Sequence, residues 1–164
     1  MVVMGVDPGS TATGFGVISV ERGRLCHRGH GVLRVNGSET LPRRLSRLFE
    51  GLKRILREHK PGALAIEAIF HARNARSSLI LGHARGVLLL AAIQEGLEPV
   101  EYTPLEVKQA LTGFGQATKE QIRYMVQALL SLKEPVPLDA SDALAVAICH
   151  AHCLGMREVG GRRR

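Results

Sequence analysis

Apolar positions along this chain follow two periods, and the changes between them mark the elements. Val2–Asp7 (VVMGVD) is a short apolar run closed by Asp-Pro-Gly, the pattern of a buried strand that ends in a turn. Residues 14–20 (GFGVISV) and 24–35 predict a second and a third strand, which with the first make an antiparallel meander. From Leu41 to His59 the period becomes helical. Leu45, Leu48, Phe49, Leu52, Ile55 and Leu56 share one face, and Arg43, Arg47, Arg54 and Arg57 lie opposite. A basic face of this kind is ordinarily a solvated one. Ala63–Glu67 (ALAIE) is too short and too apolar to be anything but a buried strand.

Residues 74–95 predict a long helix that is apolar on more than one face, with Gly82 and Gly86 one turn apart. Such a helix is either enclosed by its own domain or covered by a partner. Pro99–Tyr102 predicts a fifth strand. Thr103-Pro104-Leu105-Glu106 then offers an N-cap, a proline at the first helical position and a capping-box glutamate. Thr118 with Gln121 marks another helix start, running to about residue 132. Pro135 and Pro137 break the chain before a last apolar helix that opens LDASDALA. This order predicts an α/β fold: a five-stranded mixed sheet, an antiparallel meander of three strands plus two parallel strands, flanked by helices.

Length and composition narrow the class. A chain of 164 residues, 45% apolar, suits one globular domain on a scale of about 100–200 residues each. That domain is expected over residues 1–154, with a basic, disordered tail over 155–164. The longest strictly apolar run, Val87 to Ile93, is far short of the ~20 residues needed to cross a bilayer. The first residues lack the pattern of a secretory signal. Three cysteines, Cys26, Cys149 and Cys153, do not read as a disulfide framework. A cytoplasmic, reduced protein away from membranes is therefore expected. Twenty-two Lys and Arg against fifteen acids give a net charge of +7, which fits a polyanionic partner, with nucleic acid the default.

The acids are more specific than the net charge. Only three aspartates occur: Asp7, Asp139 and Asp142. Asp7 ends an apolar strand, and Glu67 sits among Leu64, Ala65, Ile66, Ala68, Ile69 and Phe70. An ionised carboxylate at the edge of a core is costly unless it is paired or binds a metal. If the strands ending at Asp7 and Glu67 are parallel neighbours, both acids emerge at one sheet edge, about 4.8 Å apart. Asp139 and Asp142, three residues apart, would share one face of the last helix. Their plain reading is a helix cap followed by an acid in the first turn. That reading is compatible with a ligand role. Docked at the same edge, the four carboxylates would match two divalent cations, the arrangement used for in-line displacement at phosphorus. All-oxygen ligands favour Mg2+ or Mn2+ over zinc. A small acidic pocket in a basic surface suits a nuclease.

At these residues the sequence resembles the RuvC family, the bacterial Holliday-junction resolvases of the RNase H-like superfamily. The matching stretches are GVDPGSTATGFGVI (5–18), AIEAIF (65–70), LGHARGVLLLAA (81–92), VKQALTGFGQATKEQ (107–121) and LDASDALAVAICHAH (138–152), in order through nearly the whole chain. The resemblance implies an RNase H-like fold and a homodimer that resolves four-way junctions in recombination and repair. Paired symmetric nicks would leave 5′-phosphate and 3′-hydroxyl ends. It also implies that Asp7, Glu67, Asp139 and Asp142 are metal-binding catalytic acids holding two Mg2+ per site, which Mn2+ can replace. Lys119 and Lys108 match lysines that handle the DNA backbone, Lys119 also at the catalytic centre, and Phe70 matches an aromatic that meets bases at the crossover. Arg73 and Arg76 stand beside them as candidate DNA contacts. RuvA and RuvB are the implied branch-migration partners. On residue type alone Phe70 reads as a core phenylalanine and Lys119 as a solvated lysine.

Other chemistries fit less well. Cys149-His150-Ala151-His152-Cys153 tempts a zinc reading, but structural zinc sites draw on two separated ligand pairs, and core cysteines fit better. Asp7-Pro8-Gly9-Ser10-Thr11 is similar to the first phosphate loop of actin-like ATPases, which need two lobes that one domain cannot supply. A non-catalytic junction-binding protein would have no need of Asp7 and Glu67 at neighbouring strand ends. An RNase H-like nuclease with another substrate is the nearest alternative.

Overall fold

A computed structural model describes residues 1–68 and 74–161, the side chains of 156–161 excepted. Strands β1 (Val2–Asp7), β2 (Ala12–Glu21) and β3 (Arg24–Arg34) are followed by helix α1 (Leu41–His59), β4 (Ala63–Glu67), α2 (Ala75–Gln94) and β5 (Pro99–Tyr102). Three helices close the chain: α3 (Pro104–Thr112), α4 (Lys119–Leu130) and α5 (Leu138–Gly161). The sheet order is β3-β2-β1-β4-β5. β1–β2 and β2–β3 pair antiparallel, whereas β1–β4 and β4–β5 pair parallel, as the order of elements predicts. Arg22 and Gly23, both at positive φ, make the tight β2–β3 turn.

Alternation along the central strands sorts the core into two layers. Met4, Val6, Leu64 and Ile66 face α1 and α2, where they meet Leu48, Leu52 and Leu88. Val3 and Ala65 face the other way, onto Leu144 and Ile148 of α5, with Val107, Ile122 and Val126 of α3 and α4 behind them. Thr103 and Thr118 cap α3 and α4 through complete capping boxes with Glu106 and Gln121. Asn74 caps α2 by accepting from the Ser77 N–H.

Helix α5 is the inner helix, and three glycines set its depth. A Cβ on Gly5 would lie 2.0 Å from the Ala143 carbonyl oxygen, and one on Gly14 would lie 1.9 Å from that of Asp139. One on Gly16 would run into the Leu144 side chain at 2.6 Å. The helix backbone therefore rests on the sheet backbone, which draws its first turn over the end of β1. The helix begins at Leu138, with the Ser141 N–H donating to the Pro137 carbonyl, so Asp139 lies inside the first turn and not at the cap. Helical backbone continues to Gly161, past the expected domain boundary at residue 154; no proline follows Pro137 to stop it.

Helix α2 is long and apolar enough, by length and composition, to cross a bilayer. Ala84, Leu88, Ala91 and Ala92 are instead buried in the layer shared with α1. Its opposite side is open: Leu79 is 63% exposed and Leu90 50%.

Candidate active site

Val6 pairs with Ile66, so Asp7 and Glu67 follow side by side where parallel strands β1 and β4 end. Both point to the α5 face, since they alternate with Val6 and Ile66, which point to the other. Their side chains share a hydrogen bond, which requires a proton between two carboxyl groups. Burial is the largest cause pushing Asp7 up to about 8, followed by the charges of Glu67 and Asp142, with Asp139 adding to them. Burial likewise raises Glu67, against the Asp7 hydrogen bond and the positive charge of Lys119, which lower it. Asp142 is raised chiefly by burial and by Asp139, while Lys119 and Arg123 oppose the rise. The four acids thus interact as one cluster, in which burial and neighbouring negative charge raise Asp7, Glu67 and Asp142.

The acids stand as two pairs, Asp7 with Glu67 at the strand ends and Asp139 with Asp142 on the first turns of α5. Among the described residues no three His, Cys, Asp or Glu side chains are grouped closely enough to enclose one ion. The donor set is nevertheless the right chemistry for hard divalent cations: carboxylate oxygens only, half-buried, with Asp7, Glu67 and Asp142 raised by burial and by neighbouring negative charge. Positive charge placed between the pairs would relieve that repulsion.

Beside the acids opens a cavity of about 310 Å³, whose wall includes Glu67, Asp142, Lys108 and Lys119. Lys119 is the first residue of α4, directly after its cap Thr118, and Lys108 lies one turn into α3. The two capping boxes fix the helix starts that carry these lysines, and the charge of Lys119 reaches Glu67 and Asp142. Pro104, Val107 and Ile122 supply an apolar wall. Arg123, one turn after Lys119, reaches Asp142 electrostatically and was missed in the sequence; its i+4 spacing from Lys119 is the signal that could have found it. Phe114, in the loop joining the two lysine-bearing helices, is 58% exposed, whereas Phe15 and Phe49 pack against the core. Arg76 is exposed on the first turn of α2. Phe70 and Arg73 lie outside the described residues.

The Cys-His-Ala-His-Cys stretch turns its groups to different neighbours. His150 Nδ1 lies 3.0 Å from the Tyr102 hydroxyl, and His152 Nδ1 lies 3.0 Å from the Ala110 carbonyl oxygen. Cys149 is buried, its thiol pushed up to about 12 by burial and by neighbouring Cys153.

A family model described as RuvC, crossover junction endodeoxyribonuclease, matches residues 3–150, a span that holds all four acids and both lysines. The chain belongs to the RuvC family. It is 47% identical over 156 residues to the crossover junction endodeoxyribonuclease RuvC of Geobacter sp. (strain M21), covering 95% of each chain. The RuvC of Rubrobacter xylanophilus is also 47% identical, over 151 residues, covering 92% of this chain and 84% of that one. Among solved structures, Thermus thermophilus RuvC superposes with a TM-score of 0.87 at 37% identity, over 95% of this chain and 96% of that one. Its complex with a Holliday junction substrate gives 0.89 at 36% identity, with the same coverage. The yeast mitochondrial Holliday junction resolvase shares the fold, with a TM-score of 0.70 at 14% identity over 98% of this chain and 83% of that one.

Proposed function

We propose that this RuvC-family chain is a metal-dependent endonuclease that resolves four-way DNA junctions by paired symmetric nicks, in homologous recombination and repair. The observation that carries the reading is the gathering of Asp7, Glu67, Asp139 and Asp142 at one sheet end, beside a cavity that presents Lys108 and Lys119. Asp7 and Glu67 would hold cations together with Asp139 and Asp142. A bound pair of Mg2+ ions, or Mn2+ in their place, supplies Lewis acidity at the scissile phosphate and an acidified water.

The chain's own groups do the rest. As ligands Asp7 and Glu67 would both be ionised, the proton that Asp7 holds in the fold passing to solvent water. Lys119 faces both acid pairs and lies where it can hold a non-bridging phosphate oxygen and balance its growing charge. Lys108, on the same wall, orients the backbone. Pro104, Val107 and Ile122 keep bulk water from that side. The ends left are a 5′ phosphate and a 3′ hydroxyl.

Paired nicks in a two-fold symmetric junction call for a two-fold symmetric enzyme. The open side of α2 suits that contact. Leu79, Gly82, Gly86 and Leu90, with Leu45, line an apolar groove of about 740 Å³ that none of the described residues fills. A homodimer through this face gives each strand one site. Arg76, exposed on the first turn of α2, suits a contact with the opened crossover, and the family resemblance assigns Phe70 and Arg73 to the same DNA. RuvA and RuvB are the branch-migration partners and the cytoplasm is the compartment in this reading.

The test is a labelled synthetic four-way junction set against linear duplex of the same sequence, with Mg2+ or with EDTA. Symmetric, ligatable nicks in the junction alone, dependent on metal, are expected. Equal cutting of the linear duplex would remove the junction from the function, and binding without cutting would make the protein architectural.

A further inference from the structure

A second cationic feature lies outside the active site. Between edge strand β3 and helix α1 runs a groove of about 540 Å³, lined by Arg34 at the end of β3 and by Arg47, Arg54 and Arg57 along α1. Glu50 is the one acid on its wall. Arg47 is paired with Glu39, and Arg57 with Glu95. Arg34 and Arg54 are exposed and have no ion-pair partner among the described residues. The floor is the buried Gly51, against which Leu33 packs where a side chain would stand.

Strand register places this groove relative to the acids. Asp7 pairs with Gly14 and Ala12 pairs with Arg34, so Arg34 stands at the same end of the sheet as Asp7, two strands away. That is about 10 Å across, from the strand spacing. The loop that follows Asp7 bridges the gap, for the Val35 N–H donates to the Thr11 carbonyl at 2.9 Å. Across that end the order is therefore Lys108 and Lys119 beyond β4, then Glu67, Asp7, the 8–11 loop and Arg34. Along that end the acids have cations on both flanks, although the groove itself lies on the α1 face and the acids point to the α5 face. From Arg47 to Arg57 the groove then continues along α1 for about 15 Å at the helical rise.

We propose that the β3–α1 arginine groove is a second phosphate track, which holds the backbone of the DNA arm that leaves the acids on the β3 side. The inference rests on the nuclease reading for its substrate. A strand whose scissile phosphate lies at Asp7 meets Lys108 and Lys119 on one flank and Arg34 on the other. The arm beyond it reaches Arg54 after about 20 Å, or roughly six base pairs at 3.4 Å each. Arg34 and Arg54 carry the contact, since their charges are not already spent on a carboxylate.

The experiment measures junction affinity against salt for the parent and for Arg34→Gln/Arg54→Gln, by fluorescence anisotropy. One arm is closed by a hairpin after about 4 or after about 15 base pairs, so that it meets Arg34 but ends short of Arg54, or reaches past both. On the long arm the double variant binds about tenfold more weakly, and its log K against log salt slope falls by about two, since each phosphate contact adds roughly 0.9. On the short arm, which meets Arg34 alone, the slope falls by only about one. An independent reading uses the parent alone, whose affinity rises with arm length up to the groove's reach and then levels. Unchanged slope and affinity on the long arm, a level arm-length series, or an equal loss on both arms would overturn the track. Cutting in the same samples is followed on gels. Absent cutting by the parent speaks against the nuclease reading, whereas normal cutting with an unchanged slope removes the groove alone.

Discussion

Asp7 shows at the scale of one residue how folding is set against function. In the fold its carboxyl holds a proton up to about 8, against 3.8 for the free side chain. The folded protein therefore binds more protons than the unfolded chain between those values, and stability falls as pH rises through that window. Asp7→Asn removes the penalty. Without divalent metal the variant should be more stable at pH 8 by roughly 1–2 kcal/mol and gain little at pH 4, as measured by denaturant melts. A loss of stability at pH 8 would contradict the burial-and-repulsion account of the site. Lys119→Ala makes the converse case. Lys119 lowers both Glu67 and Asp142, so its removal should shift the rising limb of the cleavage pH profile to higher pH as well as slow the reaction. A slower reaction with an unmoved limb would confine Lys119 to phosphate contact.

At the scale of elements, the strands and caps were legible because each is written locally. VVMGVD and ALAIE are bounded apolar runs, and Thr103 and Thr118 carry their partners three residues on. The parallel pairing that sets Asp7 beside Glu67 followed from element order. The depth of α5 was not legible. It depends on Gly5, Gly14 and Gly16 meeting a helix that begins more than a hundred residues later, and nothing local marks them for that contact. Gly14→Ala should lift the start of α5, cost about 1–3 kcal/mol in melts and reduce cleavage beyond what stability explains. Gly82→Ala, in open space on α2, should leave the monomer's fold intact, or stabilise it by up to about 1 kcal/mol. Arg123 and the arginine groove escaped the sequence for a related reason: a charged helix face looks solvated until the fold shows what stands opposite. The reach of α5 to Gly161 was missed because a basic, glycine-bearing end reads as tail.

At the scale of the whole molecule, a net charge of +7 coexists with a half-buried cluster of four acids and an open apolar face on α2. In the proposed function the charge would draw in DNA, the acids would select one phosphate, and the open face of α2 would receive a second copy. Leu90→Glu would put a carboxylate into that groove. It should give monomers in sedimentation, with circular dichroism of the fold retained and junction nicks uncoupled into single cuts. Dimers that persist in the variant would move the interface elsewhere.

The central claim is that four acids from three separate elements act as one cutting site. The direct measurement is the single-turnover cleavage rate of a labelled four-way junction in Mg2+ by Asp7→Asn, Glu67→Gln, Asp139→Asn and Asp142→Asn, each checked for folding. All four rates should fall by about a thousandfold or more, roughly 4 kcal/mol of barrier each. A folded variant at any one of the four positions that still cuts near the parent rate would show that the site is not the unit described.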